Sequence, residues 1–144
     1  MPPSTTTINC ILDNDVFFCA IYKPEPRHAL ARAFLNRIKP SGWGIAIETY
    51  LAAIRLLMNP NVTKTNVRTV TDAFLAIEME LSGPHPGQII FAAAKPDPAV
   101  IGRATGHKQV MDYWLVQLAR QENCKLATFD QGTLKNWPAI ALAP

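Results

Sequence analysis

The chain has 144 residues, 49% of them hydrophobic, so it is long and apolar enough to fold around a buried core and is unlike a disordered chain. Its 14 basic and 11 acidic residues leave a net charge of +3, which permits a polyanionic partner without requiring one. The sequence has no apolar run of membrane-spanning length, no signal-peptide pattern in MPPSTTT and no zinc-type cysteine spacing, so we expect a cytoplasmic protein with no membrane partner.

Predicted strands and helices alternate through the first half of the chain. INCIL (8–12) is a short apolar run, which predicts a strand buried on both faces. In PRHALARAFLNRI (26–38) the apolar positions recur at helical spacing, and KPSG ends that helix. WGIAI (43–47) predicts a second strand, and ETYLAAIRLLM (48–58) predicts a helix that stops before Pro60.

The second half continues this alternation with two helices, three strands and a connector that contains one turn of helix. The helices are predicted over 66–81 and 108–123, the strands over 88–94, 124–129 and 139–143, and the connector over 95–106. Strands that alternate with helices predict an α/β fold with a mainly parallel sheet covered on both faces. We therefore expect one domain over residues 1–144, with residues 1–7 as a flexible tail.

Acidic residues stand where several predicted strands end. Asp13 follows the strand 8–12, and Asp130 follows the strand 124–129. Glu48 lies at a strand-to-helix junction, and Asp112 lies in the first turns of a helix that begins on the same side. Because ligands of such sheets bind beyond the carboxyl ends of the strands, we expect these four carboxylates to converge there.

A convergent acid cluster favours a bound divalent cation. Carboxylates that lie close together raise one another's pKa, and Mg²⁺ or Mn²⁺ relieves this repulsion through oxygen ligands. One such ion, or two about 4 Å apart, can activate water against a phosphodiester. His28, His85 and His107 are scattered, and no glycine-rich phosphate loop is present. A single acid after a strand is more often a helix cap, so the prediction depends on all four acids together.

Two segments carry a resemblance to a known family. ILDNDVFF near the start and GHKQVMDYWLVQLARQENCKLATFDQGTL near the end resemble the PIN domain, and within it the VapC-type toxins of bacterial toxin–antitoxin pairs. The resemblance covers nearly the whole chain, and the second segment is its most specific part. It implies a three-layer α/β/α fold in which Asp13, Glu48, Asp112 and Asp130 form the acidic quartet, and Thr128 is the hydroxyl residue before the last acid.

The same resemblance implies a function. It implies an endoribonuclease that uses Mg²⁺ or Mn²⁺ to cleave RNA, a VapB-type antitoxin that occupies the active-site groove, and frequently a homodimer. The residues that we consider for contacts with RNA are basic and lie near the predicted acids. They are Arg55, Arg103, His107 and Lys108.

The chain departs from the family pattern at three places. Asp15 replaces the family's asparagine, so we give it a secondary role beside Asp13. Met111 and Tyr113 flank Asp112 with bulky side chains where the family has small ones. A gap-free alignment of RLLMNP puts Tyr50 in the second acidic position, whereas an alignment of ETY puts Glu48 there. We expect Glu48 to occupy that position, because a hard dication prefers a carboxylate.

Two other functions remain open from the sequence. A degenerate PIN-like module would bind RNA or a protein without cleaving RNA. The D-x-D pattern of ILDNDVFF also resembles haloacid-dehalogenase-type phosphatases, in which the first aspartate is a nucleophile and the second a general acid. That family also requires a lysine and a late pair of acids, and ATFDQG offers one acid.

Overall fold

The computed structural model describes residues 7–144, so the flexible tail predicted over 1–7 lies, apart from Thr7, outside the described residues. Five short strands, eight α-helices and two single-turn 3₁₀ helices (Lys39–Ser41 and Lys64–Asn66) lie in this part of the chain. The strands are β1 (Cys10–Leu12), β2 (Trp43–Ala46), β3 (Gln88–Ile90), β4 (Lys125–Ala127) and β5 (Ala141–Leu142). The helices are α1 (Asn14–Ile21), α2 (His28–Ile38), α3 (Ile47–Met58), α4 (Pro60–Thr63), α5 (Val70–Leu81), α6 (Pro98–Ile101), α7 (Gln109–Gln121) and α8 (Gln131–Asn136).

The strands form one parallel sheet in the order β3-β2-β1-β4-β5. β1 lies at its centre, where Cys10 pairs with Trp43 on one side and with Lys125 on the other. All three residues of β1 are buried, as the continuous apolar run predicts. The predicted α/β fold with a mainly parallel sheet is confirmed.

Helices cover both faces of the sheet and create two hydrophobic cores. One core contains residues of α1, α2, α3 and α5, with Phe17, Leu35 and Ile77 fully buried. The other is built mainly on α7, from which Leu115 and Leu118 pack toward the sheet. The result is the expected three-layer α/β/α arrangement. Among residues 7–144, no helix is long and apolar enough to cross a membrane.

Three of the helices were not predicted from the sequence, namely α1, α4 and α8. α1 shows no amphipathic period because Val16–Ala20 are buried on every side of the helix. The predicted helix over 66–81 begins only at Val70, because Thr69 caps it by accepting a hydrogen bond from the Asp72 N–H at 3.1 Å.

The predicted strand over 88–94 was too long, since β3 ends at Ile90. Beyond that point the backbone bonds to a side chain instead of a neighbouring strand. The Gln121 amide donates to the Phe91 carbonyl at 2.9 Å, and its oxygen accepts from the Ala93 N–H at 2.8 Å. Beyond Ile90, these bonds to α7 take the place of hydrogen bonds to a neighbouring strand.

Candidate active site

Asp13 connects the central strand to the helix that follows it. Its backbone is extended, and its Oδ1 accepts the Val16 N–H at 2.8 Å, so it is the N-cap of α1. Its Oδ2 accepts a hydrogen bond from the hydroxyl of Thr128, which follows β4. With 5% of its surface exposed, the carboxyl is fixed from two directions at the carboxyl edge of the sheet.

This carboxyl resists ionisation. Burial raises the pKa of Asp13 from 3.8 to about 7, although the hydrogen bonds from Thr128 and Val16 oppose that rise. The negative charges of Asp15 and Asp112 add to it. A positive charge near Asp13 would therefore stabilise its ionised form.

Asp112 lies in the first turn of α7 and is half-buried. Burial raises its pKa from 3.8 to about 6, and the charges of Asp130 and Asp15 raise it further. Asp112 thus interacts electrostatically both with Asp13 and Asp15, which follow β1, and with Asp130, which follows β4. The exposed Asp15 also contributes negative charge to this group.

Asp130 is the N-cap of α8, and its position depends on two threonines. Its Oδ2 accepts from the N–H and the hydroxyl of Thr133, at 2.8 and 2.7 Å. Its own N–H donates to the Thr128 hydroxyl at 3.0 Å. Because that hydroxyl also donates to Asp13, Thr128 joins the first and last acids. Thr133 was not predicted as part of the site, because the sequence did not predict α8.

Glu48 and Tyr50 point to different neighbours at the start of α3. The Glu48 Oε1 accepts a hydrogen bond from the Trp114 indole N–H at 3.0 Å, whereas the Tyr50 hydroxyl donates to Glu78 of α5 at 2.6 Å. The Tyr50 ring also packs on Phe74, with centroids 5.9 Å apart. Tyr50 is thus bound to a neighbouring helix, and Glu48 is directed toward α7, the helix that carries Asp112.

The acids do not form a ready-made coordination site. Within residues 7–144, no three Asp, Glu, His or Cys side chains are grouped closely enough to hold a metal ion. Asp13, Asp112 and Asp130 are brought together as interacting charges, while Glu48 is bound to Trp114.

Mg²⁺ or Mn²⁺ nevertheless fits the chemistry of these donors. All four acids offer carboxylate oxygens, and the pKa values of Asp13 and Asp112 are raised where a cation would lower them. The Glu48 Oε2 is buried and has no hydrogen-bond partner in the described part of the chain. Because no three of these side chains within residues 7–144 are grouped closely enough to hold an ion, an ion that bound here would have to draw the carboxylates closer together.

The basic residues considered for RNA contacts have different surroundings. Arg55 lines a cavity of about 290 Å³ together with Asp15. His107 and Lys108 are exposed just before α7. Arg103 is already engaged, since its guanidinium packs over the Trp137 ring at 4.0 Å and donates to the Asn136 carbonyl at 3.3 Å.

Another basic residue, which the sequence did not predict, contacts the segment that follows β4. The guanidinium of Arg27, just before α2, lies 4.0 Å from the centre of the Phe129 ring. Phe129 stands between Thr128 and Asp130 in the sequence, so Arg27 contacts the segment that carries the last acid. Nothing in the spacing of Arg27 indicates this, because the contact joins two distant parts of the chain.

Met111 and Tyr113, the bulky neighbours of Asp112, have different surroundings. Tyr113 is 1% exposed and packs edge-on against Trp137, with its hydroxyl accepting from the Asn136 amide at 2.9 Å. Met111 is 41% exposed. The tyrosine therefore belongs to the core under α8.

Comparisons with known proteins bear on the fold. No protein-family model matches the chain, and no curated protein does. The structure is similar to a chain in the crystal structure of VapBC2 from Rickettsia felis bound to a DNA fragment from their promoter, with a TM-score of 0.63 over 95% of this chain and 99% of that chain. The two sequences are 16% identical, so this similarity establishes a PIN-like fold.

Proposed function

We propose that this protein is a metal-dependent endoribonuclease of the VapC type, the toxin of a VapBC-type toxin–antitoxin pair. One observation carries the proposal: Asp13, Asp112 and Asp130 come from distant parts of the chain and interact as buried or half-buried charges at one sheet edge. The PIN-like fold supports the same conclusion. An acid cluster with raised pKa values at a ligand-binding edge is typical of a catalytic site.

Each acid has a role that follows from its contacts. Asp13, Asp112, Asp130 and Glu48 would hold Mg²⁺ or Mn²⁺, which supplies positive charge beside the scissile phosphate and activates water for attack. Thr128 keeps the first and last carboxyl groups aligned through its two hydrogen bonds. The relative position of Asp13 and Asp130 is therefore set before substrate arrives, which lowers the cost of organising the reaction.

Positive side chains near the acids would hold the RNA backbone. The Arg27 guanidinium packs over Phe129, the residue before Asp130, and Arg55 lines the same cavity as Asp15. Such groups bind phosphates without reading the sequence of the RNA. His107 and Lys108 would extend this contact along the start of α7.

The proposed partner is a VapB-type antitoxin, and the proposed location is the cytoplasm. Exposed apolar side chains on α3 and α5 offer surface for a protein contact, either with the antitoxin or in a homodimer. They are Leu51, Met58, Val70, Phe74, Leu75 and Met79.

The test is cleavage of RNA by purified protein with Mg²⁺, with Mn²⁺ and with excess EDTA. We expect cleavage only with metal, and we expect Asp13→Asn to abolish it. Asp97→Asn is the matched control, because Asp97 is also an N-cap but is exposed at the start of α6. Undiminished cleavage in EDTA by nuclease-free preparations would refute the proposal.

The toxin assignment has its own test. Expression of the protein alone should slow bacterial growth, and co-expression of a cognate antitoxin should restore it. Asp13→Asn is the matched variant, which should leave growth unaffected. Normal growth while the cells contain folded, RNA-cleaving protein would contradict the assignment to a toxin and leave the nuclease activity standing.

A non-cleaving RNA- or protein-binding module is the second candidate. The observation that favours it is the lack of three grouped metal ligands within residues 7–144. Metal binding without turnover on any RNA would support it. A D-x-D phosphatase fits less well, because both carboxylate oxygens of Asp13 accept hydrogen bonds and the residue is 5% exposed. Trapping of a phosphoaspartate would favour the phosphatase.

A further inference from the structure

One hydrogen bond at the acid edge has no role in the function described so far. The Trp114 indole N–H donates to the Glu48 Oε1 at 3.0 Å, and this contact joins α7 to α3 across 66 positions of sequence. Trp114 follows Asp112 by two residues, so the same helix supplies one acid and contacts a second one.

We infer that Trp114 is a positioning residue, which fixes the Glu48 carboxylate through its indole N–H and leaves Oε2 free to bind the metal ion. This inference rests on the proposed metal-dependent function. It adds to that function a residue that does not itself touch metal or substrate.

The two oxygens of Glu48 support this assignment because their environments differ. Oε1 has the indole N–H, whereas Oε2 is buried without a hydrogen-bond partner in the described region. A buried carboxylate oxygen that lacks a partner destabilises the folded protein, so one normally has a hydrogen bond or a cation. A carboxylate held at one oxygen also loses less conformational freedom when the other oxygen binds an ion.

Outer residues of this kind orient metal ligands in many proteins. A donor behind a ligating carboxylate fixes its direction, and its loss typically weakens metal affinity or activity about tenfold to hundredfold. An indole N–H is suited to this role because it only donates and cannot compete with Glu48 for the metal.

The chain offers a matched control in Trp137. Its indole N–H is buried and has no hydrogen-bond partner within residues 7–144. Trp137→Phe therefore removes the same chemical group from a buried ring without breaking a bond, whereas Trp114→Phe breaks the bond to Glu48. A difference in Mn²⁺ affinity between the two variants therefore reports the loss of the hydrogen bond, since both variants lose ring size.

The experiment is a double-mutant cycle on Mn²⁺ affinity, measured from the free Mn²⁺ signal in electron paramagnetic resonance. Wild type, Trp114→Phe, Glu48→Gln and the double variant are compared. We expect Trp114→Phe to weaken Mn²⁺ binding about tenfold in the wild-type background and to have no further effect beside Glu48→Gln. Trp137→Phe should leave the affinity unchanged.

The outcomes separate this inference from the proposed function. If Glu48→Gln weakens Mn²⁺ binding but Trp114→Phe does not, or acts equally in both backgrounds, the positioning role is wrong and the metal site stands. Tighter binding in Trp114→Phe would also overturn it, because Trp114 would then hold Glu48 away from the ion. If wild type binds no Mn²⁺, both proposals fail. Should Trp114→Phe not fold, benzothienylalanine at the same position removes the N–H and keeps a bicyclic ring.

Discussion

Replacement of Asp13 by asparagine should stabilise the metal-free protein at neutral and alkaline pH. The pKa of this carboxyl rises from 3.8 to about 7 on folding, mainly because the group is buried. At about 1.4 kcal/mol per pKa unit, the ionised carboxylate lowers the free energy of unfolding by up to ~4 kcal/mol. Asparagine removes the charge and can still accept the Val16 N–H as an N-cap, but its amide nitrogen cannot accept the Thr128 hydroxyl, so the gain should be smaller than this limit.

The pH dependence of this effect has a defined sign. The folded-state pKa is raised, so the destabilisation is complete above about 7 and decreases as the pH falls toward 3.8. Below 3.8 the carboxyl binds a proton in both states. The advantage of Asp13→Asn should therefore be largest at about pH 8 and nearly vanish at about pH 4.

Urea denaturation followed by circular dichroism in EDTA measures this difference. Asp97→Asn, at the exposed N-cap of α6, is the matched control and should change the free energy of unfolding little. If Asp13→Asn is less stable than wild type at about pH 8, the charge of Asp13 is compensated in the folded protein and the reasoning is refuted. Added Mg²⁺ should stabilise wild type and leave Asp13→Asn almost unchanged.

Two further predictions concern other contacts of the described residues. Glu48→Gln should lower RNA cleavage by orders of magnitude, whereas Tyr50→Phe should change it little, because the Tyr50 hydroxyl bonds to α5. Steady-state kinetics of both variants would show the reverse if the gap-free alignment is right. Arg32→Ala should lower the free energy of unfolding by about 2 kcal/mol, because Arg32 bonds to the largely buried Glu80 through two nitrogens. Burial pushes the pKa of Glu80 up, but its hydrogen bonds from Arg32 and Lys39 hold it below its ordinary value. The stability lost in Arg32→Ala should therefore become smaller in denaturation experiments as the pH falls through the lowered pKa of Glu80. A loss of stability that stays constant with pH would contradict this prediction.

The sequence predicted the parts of the site that depend on strand ends. Apolar runs identified β1 and β4, and the rule for parallel sheets then brought Asp13 and Asp130 to one edge. Local pattern could not reveal the bond from Trp114 to Glu48 or the contact of Arg27 with Phe129, because each joins distant segments.

The failure to predict α1 has a different cause. α1 is apolar around its whole circumference, so a method that depends on alternation of buried and exposed positions has no signal there. Its start was nevertheless marked by Asp13, whose capping role was considered as the simpler explanation of that acid. In the structure Asp13 is both the cap and part of the acid cluster.

The central place of β1 affects how the chain folds. β1 is the first strand along the sequence, but one of its two neighbours is β4, and the bond from Thr128 to Asp13 spans 115 positions. Pairings this distant in sequence form slowly, because a long loop must close first. Until β4 arrives, one edge of β1 offers unpaired backbone groups beside apolar side chains. A chain that stops before β4 is therefore expected to lack the acid cluster and to aggregate through that open edge.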